Sequence, residues 1–327
     1  MSALALPLAS AVLAWLLLAV LLRTGLAARF ALDAPNHRSL HVDPIPRAGG
    51  LVVLGVALGL VAWRVPQLRA LLALAAGLVV VCAWDDRLGL PVLLRLCVQL
   101  AVAGAACWLV RESLDATWLA ATLLVTWAMN LYNFMDGSDG MAGGMAVIGF
   151  GALAVAAWWV LPWLGIACAC IAAAALGFLV HNFPPARVFM GDAGSIPLGF
   201  LAAMLGIAGS TAKAWPLWFP VLVFSPFVVD ATFTLAHRLL RGKRPWQAHR
   251  EHLYQRLARG GWGHLRTALL YYALMAACAG SGLWALGRPP ATQSSLMMVW
   301  SVIYGILVGV ILLRYPLRDE ALTSEAR

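Results

Sequence analysis

Five short stretches of this 327-residue chain carry side chains that could hold phosphate, a hard cation or a proton. The first is Trp84-Asp85-Asp86-Arg87, two adjacent carboxylates closing an apolar run. A helix C-terminus carries partial negative charge, so carboxylates there need a compensating cation. Arg87 could supply it at a solvated helix end; alternatively the pair binds Mg2+ or transfers a proton. Neighbouring helical residues point about 100° apart, so the two would meet different partners.

The second stretch runs from Asn130 through Asn133, Asp136 and Asp139 to Gly143-Gly144, with Gly137 and Gly140 each directly following a carboxylate. Amides and carboxylates three residues apart share one helix face. Hard oxygen ligands beside flexible glycines suit Mg2+ and phosphate. A plain turn would need Gly and Asp, but not four polar residues in register at membrane depth. The third stretch, Phe189-Met190-Gly191-Asp192-Ala193-Gly194-Ser195, opens another apolar run, where Asp and Ser are good helix caps; capping and ligation are compatible.

The remaining two are basic loops. One spans Arg238 to Leu257 and contains His249-Arg250-Glu251-His252. It reads as a topology anchor or lipid-facing surface, or as an anion site, since Arg offers paired donors to phosphate and His a hydrogen bond. The His spacing does not suit zinc and no Cys is near. The other runs from Asp33 to Gly50 and holds Arg38 and Arg47 among prolines and glycines.

Hydropathy sets the elements that carry these stretches. The chain is 62% hydrophobic and only 11% charged, with a mean hydropathy of +0.85. Soluble domains carry about 25% charged residues, so an ordinary soluble globule and a disordered chain are both excluded. Apolar runs fall near 4–28, 49–63, 69–84, 92–110, 117–133, 142–161, 163–181, 195–209, 216–236, 266–286 and 295–314. They predict an all-α polytopic membrane protein of ten or eleven transmembrane helices, the break near Pro162 being thin. The first run has no preceding cation and is expected to be a retained helix with its N-terminus outside. In that orientation 18 of the 23 cations sit at the inner face, a positive-inside bias. The net charge of +9 is therefore a matter of topology, and nucleic acid is not an expected partner.

Asp85, Asp86, Asp136, Asp139, Asp192 and Asp230 all lie at or near inner ends of the runs. Carboxylates at membrane depth are expensive and by default mark function. The six cysteines read as small buried hydrophobes. No internal repeat and no separate soluble domain is evident, so residues 1–327 form one integral-membrane domain.

Together and in order, the five stretches resemble the polyprenyl-phosphate N-acetylhexosamine-1-phosphate transferase superfamily (glycosyltransferase family 4). The resemblance covers about residues 30–260. It rests on a combination: the Asp-Asp pair, Asn-x-x-Asn-x-x-Asp-Gly-x-Asp-Gly, Phe-x-Gly-Asp-x-Gly-Ser and a late His-containing loop. It implies a site at the cytoplasmic face of a bacterial inner membrane. There a sugar 1-phosphate passes from a UDP-N-acetyl-sugar to undecaprenyl phosphate, releasing UMP, as in initiation of O-antigen or other envelope polysaccharides. Mg2+, with Mn2+ as a substitute, is implied on Asn133 and Asp192. Asp85 and Asp86 are implied beside it, one of them as a base. Arg95 is implied at the lipid phosphate, and Asp136 and Asp139 on the nucleotide side. His249, Arg250 and His252 are implied at the diphosphate or sugar, with Asn130, Arg38 and Arg47 also binding substrate. Membrane lipids are partners, and a homodimer is left open.

One departure bears on the sugar. Tyr254 and Gln255 stand where the N-acetylglucosamine and muramoyl-pentapeptide enzymes carry His. The late loop is closer in form to O-antigen initiators, some of which use 6-deoxy sugars such as N-acetyl-fucosamine or N-acetyl-quinovosamine. The competing reading is a multi-pass transporter of Mg2+ or of a lipid-linked sugar. Transporters place their polar site near the midplane and often repeat internally, whereas here the polar stretches gather at one face.

Overall fold

Every apolar run becomes helix, as it must where no water can satisfy a backbone amide. The structure, a computed structural model, describes residues 4–33, 44–112, 114–244, 247 and 249–316. The helices are α1 (Ala5–Arg23), α2 (Gly49–Arg64), α3 (Arg69–Leu88), α4 (Val92–Arg111), α5 (Ala116–Phe134), α6 (Met141–Ala157), α7 (Pro162–Asn182), α8 (Asp192–Thr211), α9 (Trp218–Val223), α10 (Ser225–Leu240), α11 (Leu253–Leu257), α12 (Gly263–Ala285) and α13 (Pro290–Arg314). Among the described residues, seven helical stretches are long and apolar enough to cross a membrane. α2 and α6 are apolar but shorter. The protein is an all-α polytopic membrane protein.

Three expectations change in detail. The thin break at Pro162 is real: α6 stops at Ala157 and α7 starts at Pro162, so the runs at 142–161 and 163–181 are separate helices. The run at 216–236 is not one helix. Pro226 stands in the first turn of α10 and cannot donate into a preceding turn, while Ser225 Oγ donates to the Leu222 carbonyl at 2.6 Å, so α9 and α10 part at Phe224. Of the six cysteines, Cys97 is exposed and the other five are buried.

α8 is the most enclosed of the seven long apolar stretches, and its Gly, Ala and Ser residues let neighbouring backbones approach closely. A Cβ at Gly50 would lie 2.3 Å from the Gly194 Cα, so α2 and α8 cross in near backbone contact. The chain before α8 is tied to the start of α2: Gly49 and Gly50 donate to the Phe189 and Met190 carbonyls, each at 2.9 Å. A two-residue antiparallel pair, β1 (Leu32–Asp33) with β2 (Ile45–Pro46), lies beside this junction, and Phe189 N donates to the Pro46 carbonyl at 2.9 Å. The packing thus gathers the end of α3, the start of α4, the end of α5 and the start of α8.

Candidate active site

The centre is the first turn of α8. Gly191 adopts φ +70, a conformation that favours glycine, and a Cβ there would lie 2.9 Å from Asp86 Oδ2. Asp86 reaches over from α3 and accepts the backbone N–H groups of Asp192 at 3.3 Å and Ala193 at 3.1 Å. It also pairs with Arg47 Nη1 at 3.3 Å, while Arg47 Nη2 meets Asp33 at 2.6 Å. Those two carboxylates hold the Arg47 guanidinium above its ordinary proton affinity against the opposing effect of burial.

Asp85 faces the other way, as the 100° rule requires. Its Oδ1 accepts Leu90 N at 2.6 Å and its Oδ2 meets Arg95 Nη1 at 2.9 Å. The same Nη1 lies 3.4 Å from Asp192 Oδ2, so Arg95 joins the two carboxylates. Asn133, on the last turn of α5, accepts the Ser195 hydroxyl at 2.7 Å. One turn earlier, Asn130 donates to Gln99 at 2.7 Å and to the Thr126 carbonyl at 2.8 Å.

The loop between α5 and α6 is pinned from several sides. Gly140, at φ +75, donates to Asn182 at 2.9 Å, and its carbonyl accepts the Tyr272 hydroxyl at 2.7 Å. The Tyr254 hydroxyl donates to the Phe134 carbonyl at 3.1 Å. Asp139 is buried, accepts Ala186 N at 3.0 Å and lies 3.4 Å from His264 Nδ1. Asp136 is half-buried, and its carboxyl is held well above the ordinary carboxylate range by burial and then by the charges of Asp192 and Asp86.

A cavity of about 710 Å³ opens beside this centre. Its polar lining includes Arg95, Asn130, Asn133, His249, His252 and Gln255; its apolar lining includes Leu96, Leu100, Leu123, Trp127, Ile196 and Leu235. Arg47 and Asp86 line a second cavity of about 490 Å³ with Phe30, Trp84 and Arg87. His249 is half-buried, and burial, then the neighbouring His252 and Arg238, push its pKa down to about 3, so the ring is neutral at physiological pH. Arg250 is half-buried in the same loop, and neither it nor Asp139 lines the larger cavity. Arg38 lies outside the described residues.

The structure therefore brings Asp85, Asp86, Arg95, Asn133 and Asp192 into one hydrogen-bonded cluster, with Arg47 on its flank. Sequence reasoning missed Gln99, Asn182 and His264, and read Ser195 only as a helix cap. Gln99 carried a signal: an amide inside an apolar run, one turn after Arg95.

The donor set suits a hard cation. Asp192, Asp136 and the Asn133 amide offer only oxygen. Among the described residues no three His, Cys, Asp or Glu side chains form a closed metal site. Mg2+ does not need one, because it keeps several waters and is held by one or two carboxylates plus substrate phosphates.

Apolar helices whose ends collect carboxylates, amides and arginines around one helix start define a membrane protein with a polar, charged rim. The chain matches the model of "Glycosyl transferase family 4" over residues 68–210. It is 30% identical over 285 residues to a probable undecaprenyl-phosphate N-acetylglucosaminyl 1-phosphate transferase of Bacillus subtilis, covering 79% of each chain. It is also 30% identical over 278 residues to an Escherichia coli undecaprenyl-phosphate alpha-N-acetylglucosaminyl 1-phosphate transferase, covering 76% of this chain and 74% of that one. A decaprenyl-phosphate N-acetylglucosaminephosphotransferase of Mycolicibacterium smegmatis is 29% identical, with 88% and 83% covered. The chain belongs to glycosyl transferase family 4.

Proposed function

We propose that the protein transfers an N-acetylated sugar 1-phosphate from a UDP-sugar to undecaprenyl phosphate, releasing UMP and beginning an O-antigen or related envelope polysaccharide. The observation that carries this reading is the cavity beside Arg95 and Asn133. Its polar part can hold phosphate and its apolar part can hold a prenyl chain, so a lipid phosphate fits beside Arg95, whose Nη1 lies 3.4 Å from Asp192.

An oxygen of the lipid phosphate attacks the sugar-bearing phosphorus. The bond from that phosphorus to the bridging oxygen breaks, and the oxygen leaves on UMP. A phosphate monoester has a second pKa of about 6, so at neutral pH the attacking oxygen is already deprotonated. Asp85 and Asp86 are engaged with Arg95, Arg47 and backbone amides, so their oxygens are already occupied. Their role in this reading is to orient Arg95 and the start of α8. Arg95 offsets charge on the lipid phosphate, and neutral His249 can donate a hydrogen bond without adding charge, while His252 lines the same cavity. Asp192 and Asn133 would hold Mg2+, with Asp136 on the nucleotide side, and the ion would supply electrostatic stabilisation of the diphosphate oxygens.

The site faces the cytoplasm in this reading, with the N-terminus outside and the protein in the bacterial inner membrane, in agreement with the cation asymmetry. The test incubates membranes carrying the protein with undecaprenyl phosphate, Mg2+ and a panel of UDP-N-acetyl-sugars. Mass spectrometry should find one undecaprenyl-diphospho-sugar and stoichiometric UMP. Uptake of a lipid-linked sugar into vesicles without UMP release would favour transport instead.

A further inference from the structure

Asp230 is a carboxylate that the chemistry above leaves unused. It sits in α10, 1% exposed, and collects donors from three helices. Its oxygens accept Leu253 N at 2.8 Å, Tyr254 N at 2.9 Å and the Tyr271 hydroxyl at 2.5 Å, with Thr234 Oγ1 at 3.3 Å. His252 Nδ1 lies 3.4 Å from Asp230 Oδ1. That nitrogen is sealed from solvent and its contact with Asp230 falls short of a formed hydrogen bond, while the His252 side chain also caps α11 against the Gln255 N–H. The ring lies between Phe134 and Tyr254, stacked on each, and still lines the cavity beside Asn133. With Nδ1 turned inward, Nε2 is the nitrogen on the cavity side.

We propose that Asp230 is a positioning residue for the transferase: it holds the His252 proton on Nδ1, so that Nε2 faces the cavity as an acceptor for a substrate hydroxyl or amide. The inference rests on the transferase reading for its consequence, but not for its geometry. A histidine's tautomer is set by the partner of its other nitrogen. Here two partners compete for Nδ1. One is the Asp230 carboxylate. The other is the Gln255 N–H at the start of α11, where His252 stands as the cap and Gln255 Oε1 accepts the His252 N–H at 3.3 Å. Accepting from Gln255 would leave the Nδ1 lone pair facing a buried carboxylate. A charge-assisted bond away from water outweighs a neutral one, so the proton belongs on Nδ1. The separation lies just beyond a formed bond, and active-site contacts commonly tighten when substrate arrives.

The full-length protein, labelled with 15N-histidine and held in nanodiscs, tests this. His252 is assigned by its loss in His252→Gln. The wild type should show Nδ1 protonated and Nε2 bare. Asp230→Asn should disturb that signature, and Asp230→Glu should restore it. Turnover with UDP-N-acetylglucosamine, UDP-N-acetyl-fucosamine or UDP-N-acetyl-quinovosamine should fall about 10- to 100-fold in Asp230→Asn, as losing an outer-shell partner does. It should recover in Asp230→Glu. A wild-type His252 protonated on Nε2 overturns the proposal, as does an Asp230→Asn protein with an unchanged signature and unchanged turnover. Should Asp230→Asn fail to fold, the wild-type spectrum still decides. That spectrum needs no substrate, so absence of transfer with every donor would sink the transferase reading and leave the tautomer assignment standing.

Discussion

The Asp86 carboxylate accepts the backbone N–H of Asp192 at 3.3 Å, so the acidic end of α3 caps the helix whose first residue is the candidate metal ligand. Two carboxylates that would repel one another are thereby held close, one turned to backbone amides and the other to Arg95. Asp86→Ala removes the cap. The expected cost is about 1 kcal/mol of stability, typical of a lost helix cap, with a fall in transfer because α8 loses its fixed start. Thermal unfolding in detergent together with initial rates measures both. Unchanged stability would mean that the capping bonds contribute nothing.

Asp192→Asn keeps the shape and the hydrogen-bonding oxygen but removes the charge. Arg95 retains Asp85 as a partner, so the fold should survive. Mg2+-dependent exchange of UMP into UDP-sugar should fall about 10²- to 10³-fold, the usual loss for a single electrostatic stabiliser. Full exchange in the variant would remove Asp192 from the ligand set.

Arg95 contacts two carboxylates through one nitrogen, Nη1, which leaves the rest of the guanidinium for an incoming phosphate. Arg95→Lys keeps the charge but has no fork. The Michaelis constant for undecaprenyl phosphate should rise about tenfold, the equivalent of one charged hydrogen bond, with a smaller change in turnover. An unaltered constant would assign Arg95 to the fold alone.

The helices and the chemistry were legible in the sequence for different reasons. Twenty-residue apolar runs leave the backbone one option, so helix positions followed from hydropathy, and Pro162 marked a true break. Asp85, Asp86, Asn133 and Asp192 stood out because carboxylates and amides are costly at membrane depth. Their partners could not be read. That Asp86 bonds amides 106 residues away follows from the crossing of α3 with α8, which no local pattern encodes. The break between α9 and α10 was legible in Pro226 and was overridden by the surrounding hydropathy. His264 gave no signal, since its contact with Ser138 at 3.0 Å exists only once α12 docks on the α5–α6 loop.

His249 is neutral in the folded protein down to about pH 3, because burial and neighbouring positive charge disfavour its protonated form. In the unfolded chain it takes up a proton near pH 6.5. The unfolded state thus binds more protons between these values, and the local stability of the 249–252 loop should fall as pH drops from about 6.5 towards 3. Hydrogen exchange of this loop as a function of pH reads the effect, and His249→Asn should flatten the profile. Identical profiles would show that the ring titrates alike in both states.

Gly50 and Gly194 test whether the α2–α8 crossing sets the site. A Cβ at Gly50 would lie 2.3 Å from both the Cα and the N of Gly194, all backbone that no side-chain rotation can clear. Gly50→Ala must therefore push the helices apart or shift the start of α8. Overpacking of this kind costs about 1–3 kcal/mol. Gly55, further along α2, has open space at the Cβ position, so Gly55→Ala should be tolerated and serves as the control. The expected pattern is a lower unfolding temperature and a larger loss of transfer in Gly50→Ala than in Gly55→Ala. The shift moves Asp192 relative to Arg95 and Asn133, which hold their places from α4 and α5. Equal behaviour of the two variants would show that α8 takes its position from α3 and α5 instead.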